Sequence, residues 1–225
     1  MSKLYLYYGA MGSAKSLDLL RTAYNYVEGG KKVLLMTSSV DDRAGVGVIE
    51  SRVGISEKAY PIQPNQSVFD DFDEIWSEMS EFNEKTEKND QKSAKLSDIC
   101  SFSTELKHPD VVLVDEGQFL TLKTVQSLVN VADLHGIPVI VYALKNDFMN
   151  NLFEGSEALL IYADSIKEIK SICRLCASKA TMNLKVKDGH PVYHDRQTIE
   201  IGGNELYVPV CRKHYYKYEI SEGDM

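Results

Sequence analysis

Along the chain, short unbroken apolar runs alternate with stretches in which apolar residues return every three or four positions. The runs are LYLYY at 4–8, VLLMT at 33–37, VVLVDE at 111–116 and IPVIVYAL at 137–144. A strand buried on both faces of a sheet reads as such a run, and alternation with helical stretches predicts a parallel α/β sheet. After Ser16, the positions Leu17, Leu19, Leu20, Ala23 and Tyr26 suit a helix that ends near Gly29-Gly30. A further helix is expected from about Lys123 to Leu134. Phe69, Phe72, Trp76 and Met79 keep helical spacing with acids between them, which predicts an amphipathic surface helix. Residues 80–98, SEFNEKTEKNDQKSAKLSD, are charged and poor in apolar residues. They read as a solvated helix extension or insertion without chemistry.

Past about Leu160 the texture changes. A cysteine pair, a KDGH turn between strand-like segments, IGG and CRKH replace the apolar runs, which predicts a second, smaller β-rich lobe. The expected organisation is an α/β domain over 1–165 with an insertion at about 78–105, a lobe over 166–219 and a tail at 220–225. A chain of 225 residues with 44% hydrophobic content supports one substantial core and a small appended module.

Charge narrows the classes of partner. A formal net charge of −8 and a pI near 5.2 disfavour a protein that neutralises nucleic-acid phosphates with a basic face. No stretch approaches the roughly 18 uninterrupted apolar residues of a membrane span, so no membrane partner is expected. The N-terminal MSKLYLYYG lacks a signal-peptide cleavage pattern, and the expected location is the cytosol.

The first apolar run leads into GAMGSAKS, and a helical pattern follows. Gly9, Lys15 and Ser16 fit the spacing of a phosphate-binding loop, but Ala14 stands where the second glycine belongs. In such a turn, main-chain N–H groups and the helix N-terminus hold phosphate oxygens, Lys15 reaches the β- and γ-phosphates, and Ser16 ligates Mg²⁺. Alanine adds a single methyl group, and Gly12 supplies freedom two positions earlier. VVLVDE places Asp115 at the end of a buried strand, where nucleotide-binding α/β proteins hold Mg²⁺. Its neighbour Glu116 stands at the carboxyl edge of the sheet and could accept a proton from an attacking hydroxyl.

Cys173 and Cys176 form C-x2-C, and Cys211 and His214 form C-x2-H after 34 intervening residues. Two tight pairs of such ligands match a closed tetrahedral zinc site, which is structural; its expected job is to brace the segment from Ala180 to Tyr207. Cys100 stands apart and reads as a buried or incidental thiol, and His190 and His194 read as solvent-exposed.

In this order, YYGAMGSAKS, DDR at 41–43, LVDEGQFL at 113–120, YALKNDF at 142–148, CRLC at 173–176 and IGGNELYVPVCRKHY at 201–215 resemble one family. It is that of the cellular-type thymidine kinases, found in bacteria, many viruses and the vertebrate cytosol. The resemblance covers almost the whole chain except about 78–105. It implies a RecA-like P-loop α/β fold with a parallel sheet, plus a small zinc-containing, β-rich lasso domain whose loop closes over the nucleoside. The implied activity is transfer of the γ-phosphoryl group of ATP to the 5′-hydroxyl of thymidine, and of deoxyuridine, in pyrimidine salvage. By the same resemblance, Lys15 and Ser16 bind the triphosphate and Mg²⁺ within a loop of Gly9, Met11, Gly12, Ser13 and Ala14. Asp115 supports the metal, Glu116 is the general base, and Arg43 neutralises charge on the transferred phosphoryl group. Met11, Phe119, Leu144, Phe148, Asn183 and Tyr207 surround the nucleoside. Family members are homotetramers, sometimes dimers, and are inhibited by dTTP at the substrate site.

Three positions depart from the family pattern. Ala14 replaces a glycine, Gly117 replaces alanine or cysteine with little expected consequence, and Asn183 stands where many members have threonine, so the donor facing the base differs. Three other readings stay open on sequence: a non-catalytic nucleotide-binding homologue, a kinase of another deoxynucleoside, and a zinc-ribbon nucleic-acid module fused to an ATPase.

Overall fold

The computed structural model of the protein describes residues 2–87, 108–194 and 207–217. The chain runs through β1 (Leu4–Tyr8), α1 (Lys15–Glu28), β2 (Val33–Ser38), a hairpin of β3 (Val48–Glu50) and β4 (Ser56–Lys58), β5 (Tyr60–Ile62) and α2 (Phe72–Glu87). It continues with β6 (Val111–Asp115), α3 (Leu122–Leu134), β7 (Val139–Ala143), α4 (Glu154–Tyr162) and β8 (Ser165–Glu168). Last come β9 (Ser171–Ile172), β10 (Lys179–Ala180), β11 (Met182–Lys187), β12 (His190–Val192), β13 (Tyr207–Val210) and α5 (Arg212–Tyr216).

Six strands form one parallel sheet in the order β5-β2-β6-β7-β1-β8. Every residue of β2, β6 and β7 is buried, which is why these segments read as unbroken apolar runs. Alternate side chains serve opposite layers. Leu34, Met36, Val112, Val114, Val139 and Val141 pack with α2, α3 and α4, whereas Val33, Leu35, Val111, Leu113 and Ile140 pack with Leu19, Leu20 and Ala23 of α1. Thr121 caps α3 by accepting a bond from Thr124 N.

Two boundaries differ from the pattern-based reading. The helix expected to include Phe69 starts at Phe72, and Phe72, Ile75, Trp76 and Met79 are buried in the core. Phe69 packs on that cluster from the preceding turn, and the helix extends through residues 80–87. The boundary placed at 165/166 falls inside β8, which pairs in register with β1, so the first strand outside the large sheet is β9. An edge strand with exposed Ser165, Ile166 and Lys167 carries no apolar run to announce it.

The small lobe holds an antiparallel sheet in the order β12-β11-β13 beside the β9–β10 pair. Asp188 and Gly189 both have positive φ, 51° and 77°, which gives the KDGH hairpin the twist that two antiparallel strands need. His190 and His194 are exposed. Cys100 with residues 88–107, residues 195–206 of the expected lasso loop, and the tail at 220–225 lie outside the described residues. Among the described residues, no helix is long and apolar enough to cross a membrane.

Candidate active site

The loop between β1 and α1 begins where only glycine fits. A Cβ on Gly9 would stand 2.4 Å from Ser13 Oγ and 2.5 Å from the Ile169 carbonyl oxygen. Gly12 has φ 69°, and Ala14 itself is left-handed at φ 61° and ψ 34°. The alanine therefore adopts the backbone of the glycine it replaces, at a cost of about 1–2 kcal/mol. Ala14 gives α1 no side-chain cap, so N–H groups of its first turn stay available to an anion. Lys15 is buried, and its Nζ donates to the Ala10 carbonyl at 3.1 Å and to the Gly9 carbonyl at 3.5 Å. Burial lowers its pKa, and the charges of Glu116 and Asp115 oppose that shift.

Across the loop, β6 ends in the two acids. Asp115 is buried and bonds to the Ser16 hydroxyl and to Glu116 N, the latter at 3.0 Å. Burial first, and the Glu116 charge second, raise the Asp115 pKa to about 7. Glu116 has φ 53°, a strained backbone of the kind found at functional sites, and this conformation starts the tight turn Gly117–Phe119. Its carboxylate accepts from Arg43 Nη2 at 2.8 Å and from Gln118 Nε2. Arg43 is also held by two bonds to Asp41, each 2.7 Å, and these raise its pKa. Gly117 is more constrained than its small size suggested. A Cβ there would stand 2.3 Å from Val141 Cγ1 and 3.3 Å from the Tyr142 carbonyl oxygen.

These groups open onto a cavity of about 480 Å³. Of the expected loop residues, Met11, Gly12, Ala14, Lys15 and Ser16 line it, whereas Gly9 and Ser13 lie behind the wall. Ser13 Oγ is buried without a partner among the described residues. Arg43, Asp115 and Glu116 also line the cavity, as do Phe119, Leu144, Phe148, Asn183 and Tyr207. At the apolar end, Met11, Phe148 and Tyr207 form a buried cluster with Leu144 packed against it. Phe119 meets Phe153 edge-on at 5.9 Å between centroids. An end lined by these rings and aliphatic side chains suits a flat apolar group.

Asn183 lines the cavity and also makes two hydrogen bonds between parts of the chain. Its Oδ1 accepts from Met11 N at 2.8 Å and its Nδ2 donates to the Asn146 carbonyl at 3.1 Å. It is buried and ties the small lobe to both the phosphate loop and the segment before Phe148.

In the small lobe, the ligand atoms of Cys173, Cys176, Cys211 and His214 lie within 4.8 Å of one another. Cys173 Sγ and Cys211 Sγ are each 3.4 Å from His214 Nδ1, and Cys176 Sγ is 3.9 Å from Cys211 Sγ. Tetrahedral zinc with its usual bond lengths separates such ligand atoms by about 3.5–3.8 Å, so the group can hold the ion. Tyr215, next to His214, donates to the Phe148 carbonyl at 2.6 Å and so joins this group to the apolar end of the cavity.

Sequence reasoning missed Gln118, Tyr215 and Arg52, the last of which lines the cavity from the turn between β3 and β4. Gln118 is buried, and besides bonding Glu116 it accepts from Leu144 N at 2.9 Å. Its one signal was position, two residues beyond the acid pair. Tyr215 had its nearness to a metal ligand, and Arg52 had none.

A loop that offers N–H groups to an anion, at the mouth of a cavity with an apolar far end, defines a P-loop α/β protein built to handle a nucleotide. Within that class the chain belongs to the thymidine kinase family: a family model described as thymidine kinase matches residues 2–84 and 72–215. The chain is 46% identical over 220 residues to "Thymidine kinase" of Lactococcus lactis, a match that spans 98% of this chain and 100% of the relative. It is similar to the protein of the same name from Streptococcus pyogenes, 43% identical over 98% of this chain and 100% of that one. With the Streptococcus thermophilus protein it shares 45% identity over 96% of this chain and 94% of that one.

Proposed function

We infer that this chain transfers the γ-phosphoryl group of ATP to the 5′-hydroxyl of thymidine, and also of deoxyuridine, giving dTMP and ADP from thymidine. Family membership over nearly the full chain supports the substrate. The observation that carries the mechanism is the double tether of Glu116. On one side it bonds Arg43 at the phosphate end, and on the other it reaches Leu144 at the apolar end through Gln118.

In this reading Glu116 accepts the 5′-hydroxyl proton while O5′ bonds to the γ-phosphorus and the bond from that phosphorus to the ADP oxygen breaks. Arg43 turns from the carboxylate to the equatorial phosphoryl oxygens, which both frees the base and neutralises the developing charge. Lys15 leaves the loop carbonyls for the triphosphate. Ser16 and Asp115, already bonded to each other, are the pair that would hold Mg²⁺, which supplies charge neutralisation on the phosphates when bound. Phe119, Leu144 and Phe148 wall the base, with Met11 and Tyr207 closing its sides. Asn183 positions that wall through the main chain. Cys173, Cys176, Cys211 and His214 would hold a zinc ion, and the closed four-ligand site would brace the small lobe. By family likeness the enzyme works in the cytosol as a homotetramer, and dTTP inhibits it at this site.

The test is transfer of labelled γ-phosphate from ATP and Mg²⁺ to thymidine, deoxyuridine and deoxycytidine, with Glu116→Gln in parallel. Wild-type enzyme is expected to make dTMP, and the variant to lose about 10²–10⁴ in kcat while it still binds ATP. Wild-type protein that binds ATP without labelling thymidine would overturn the reading.

A further inference from the structure

Arg52 lies outside the six short motifs quoted above, though within the part of the chain that the family model matches. It occupies the turn of the β3–β4 hairpin, and that turn is firmly tied. Ser51 N donates to the Ile55 carbonyl at 2.8 Å, Gly54 N to the Ser51 carbonyl at 2.9 Å, and Ile55 N to Ser51 Oγ at 3.2 Å. The hairpin is also anchored below, because Ile49 and Ala59 are buried in the cluster beneath α1. This scaffold holds Arg52 at the cavity rim, with its Nη1 3.6 Å from where a Cβ on Gly12 of the phosphate loop would stand.

The charge pattern there is unbalanced. Arg43 is satisfied by Asp41 and Glu116, and Lys15 by the loop carbonyls. Arg52 is exposed at the rim and has no ion pair or hydrogen bond among the described residues; partial desolvation and the neighbouring Arg43 charge lower its pKa, and the Glu116 charge opposes that shift. A guanidinium kept beside other cations, with no carboxylate of its own, gains most from an anion placed between them. Two oxygens of a phosphate match the planar fork of arginine better than the point charge of lysine.

We propose that Arg52 is a third cation of the phosphate site, binding the triphosphate of ATP from the hairpin side while the β1–α1 loop binds it from the sheet side. The proposal rests on the reading of this cavity as an ATP site. It makes the β3–β4 hairpin part of the nucleotide site and Arg52 a binding residue in addition to Lys15 and Arg43.

The experiment compares full-length wild type, Arg52→Ala and Arg52→Lys by steady-state kinetics and by direct equilibrium binding of ATP and of AMP. Arg52→Ala is expected to raise the KM for ATP about tenfold to a hundredfold, as loss of one charge-assisted contact does. Its KM for thymidine, its affinity for AMP and its melting temperature stay at wild-type values, and Arg52→Lys recovers part of the loss. A wild-type KM for ATP in Arg52→Ala overturns the proposal, as does an equal loss toward both substrates or a change confined to kcat. If wild-type enzyme fails to phosphorylate thymidine, the thymidine reading falls, and the ratio of ATP to AMP affinity in Arg52→Ala still decides the role of Arg52.

Discussion

At its phosphate end the cavity is cut into a sheet whose strands β2, β6 and β7 are buried throughout, whereas its apolar end is closed by a lobe whose own cluster has five buried residues among the described ones. Those five are Cys173, Leu184, Val186, Val210 and Tyr215, and one of them is itself a candidate zinc ligand. Buried area rises with domain size, so a lobe this small cannot rely on apolar burial as the sheet does. Cross-links take over that role: a four-ligand metal group, the Tyr215 bond to Phe148, and the two bonds of Asn183. The apolar end is therefore held by a few polar contacts and a candidate metal group, and the end at the β1–α1 loop by many apolar contacts.

The harshest way to break this comparison is to remove zinc. Structural zinc contributes about 10–16 kcal/mol in small metal-dependent folds, more than this lobe's core could replace. A strong chelator is expected to abolish amide protection in β11 and β13 and thymidine binding with it, while β1, β6 and β7 remain protected and ATP still binds. Simultaneous loss of protection in both regions, followed by hydrogen exchange, would show that the two are one cooperative unit.

A smaller effect sharpens the link between the ends. Asn183→Ala leaves Met11 N and the Asn146 carbonyl without partners, each worth about 1–3 kcal/mol if it stays buried. Because one bond goes to the phosphate loop and the other to the Phe148 segment, KM should rise for ATP and for thymidine alike, each by about tenfold. A rise for thymidine alone would mean that the Met11 bond carries no coupling.

The smallest effect concerns the loop itself. Ala14→Gly removes a left-handed alanine worth about 1–2 kcal/mol and adds up to about 1 kcal/mol of chain entropy loss, for a net gain of about 0–2 kcal/mol. Denaturant unfolding should show this gain, whereas titration with ATP should show an unchanged affinity, because the left-handed backbone is present before the nucleotide binds. A weaker ATP complex would show that the alanine methyl itself contacts the nucleotide.

Much of the candidate site was legible in the sequence because its signals are local. Gly9, Lys15 and Ser16 sit within one turn, Asp115 and Glu116 are adjacent at a strand end, and the cysteine and histidine ligands come in pairs. Gln118 and Arg52 were not legible, since a glutamine or arginine in a loop becomes functional only through what faces it. Asn183 was legible as a cavity residue, but its two hydrogen bonds were not. Its partner Met11 is 172 positions away, and no periodicity reports such a bond.

The same division runs through the fold. Apolar runs by themselves determined β1, β2, β6 and β7, because a strand covered on both faces of a sheet favours apolar residues at nearly every position. Spacing determined the phosphate loop and the metal group, because a phosphate and a tetrahedral ion each demand fixed geometry from neighbouring residues. Tertiary structure alone decided that polar β8 completes the large sheet, that the β3–β4 hairpin brings Arg52 to the loop, and that Tyr215 braces Phe148. Each of these depends on a partner brought close by the chain's path, and the energy of such a contact belongs to the pair rather than to either segment.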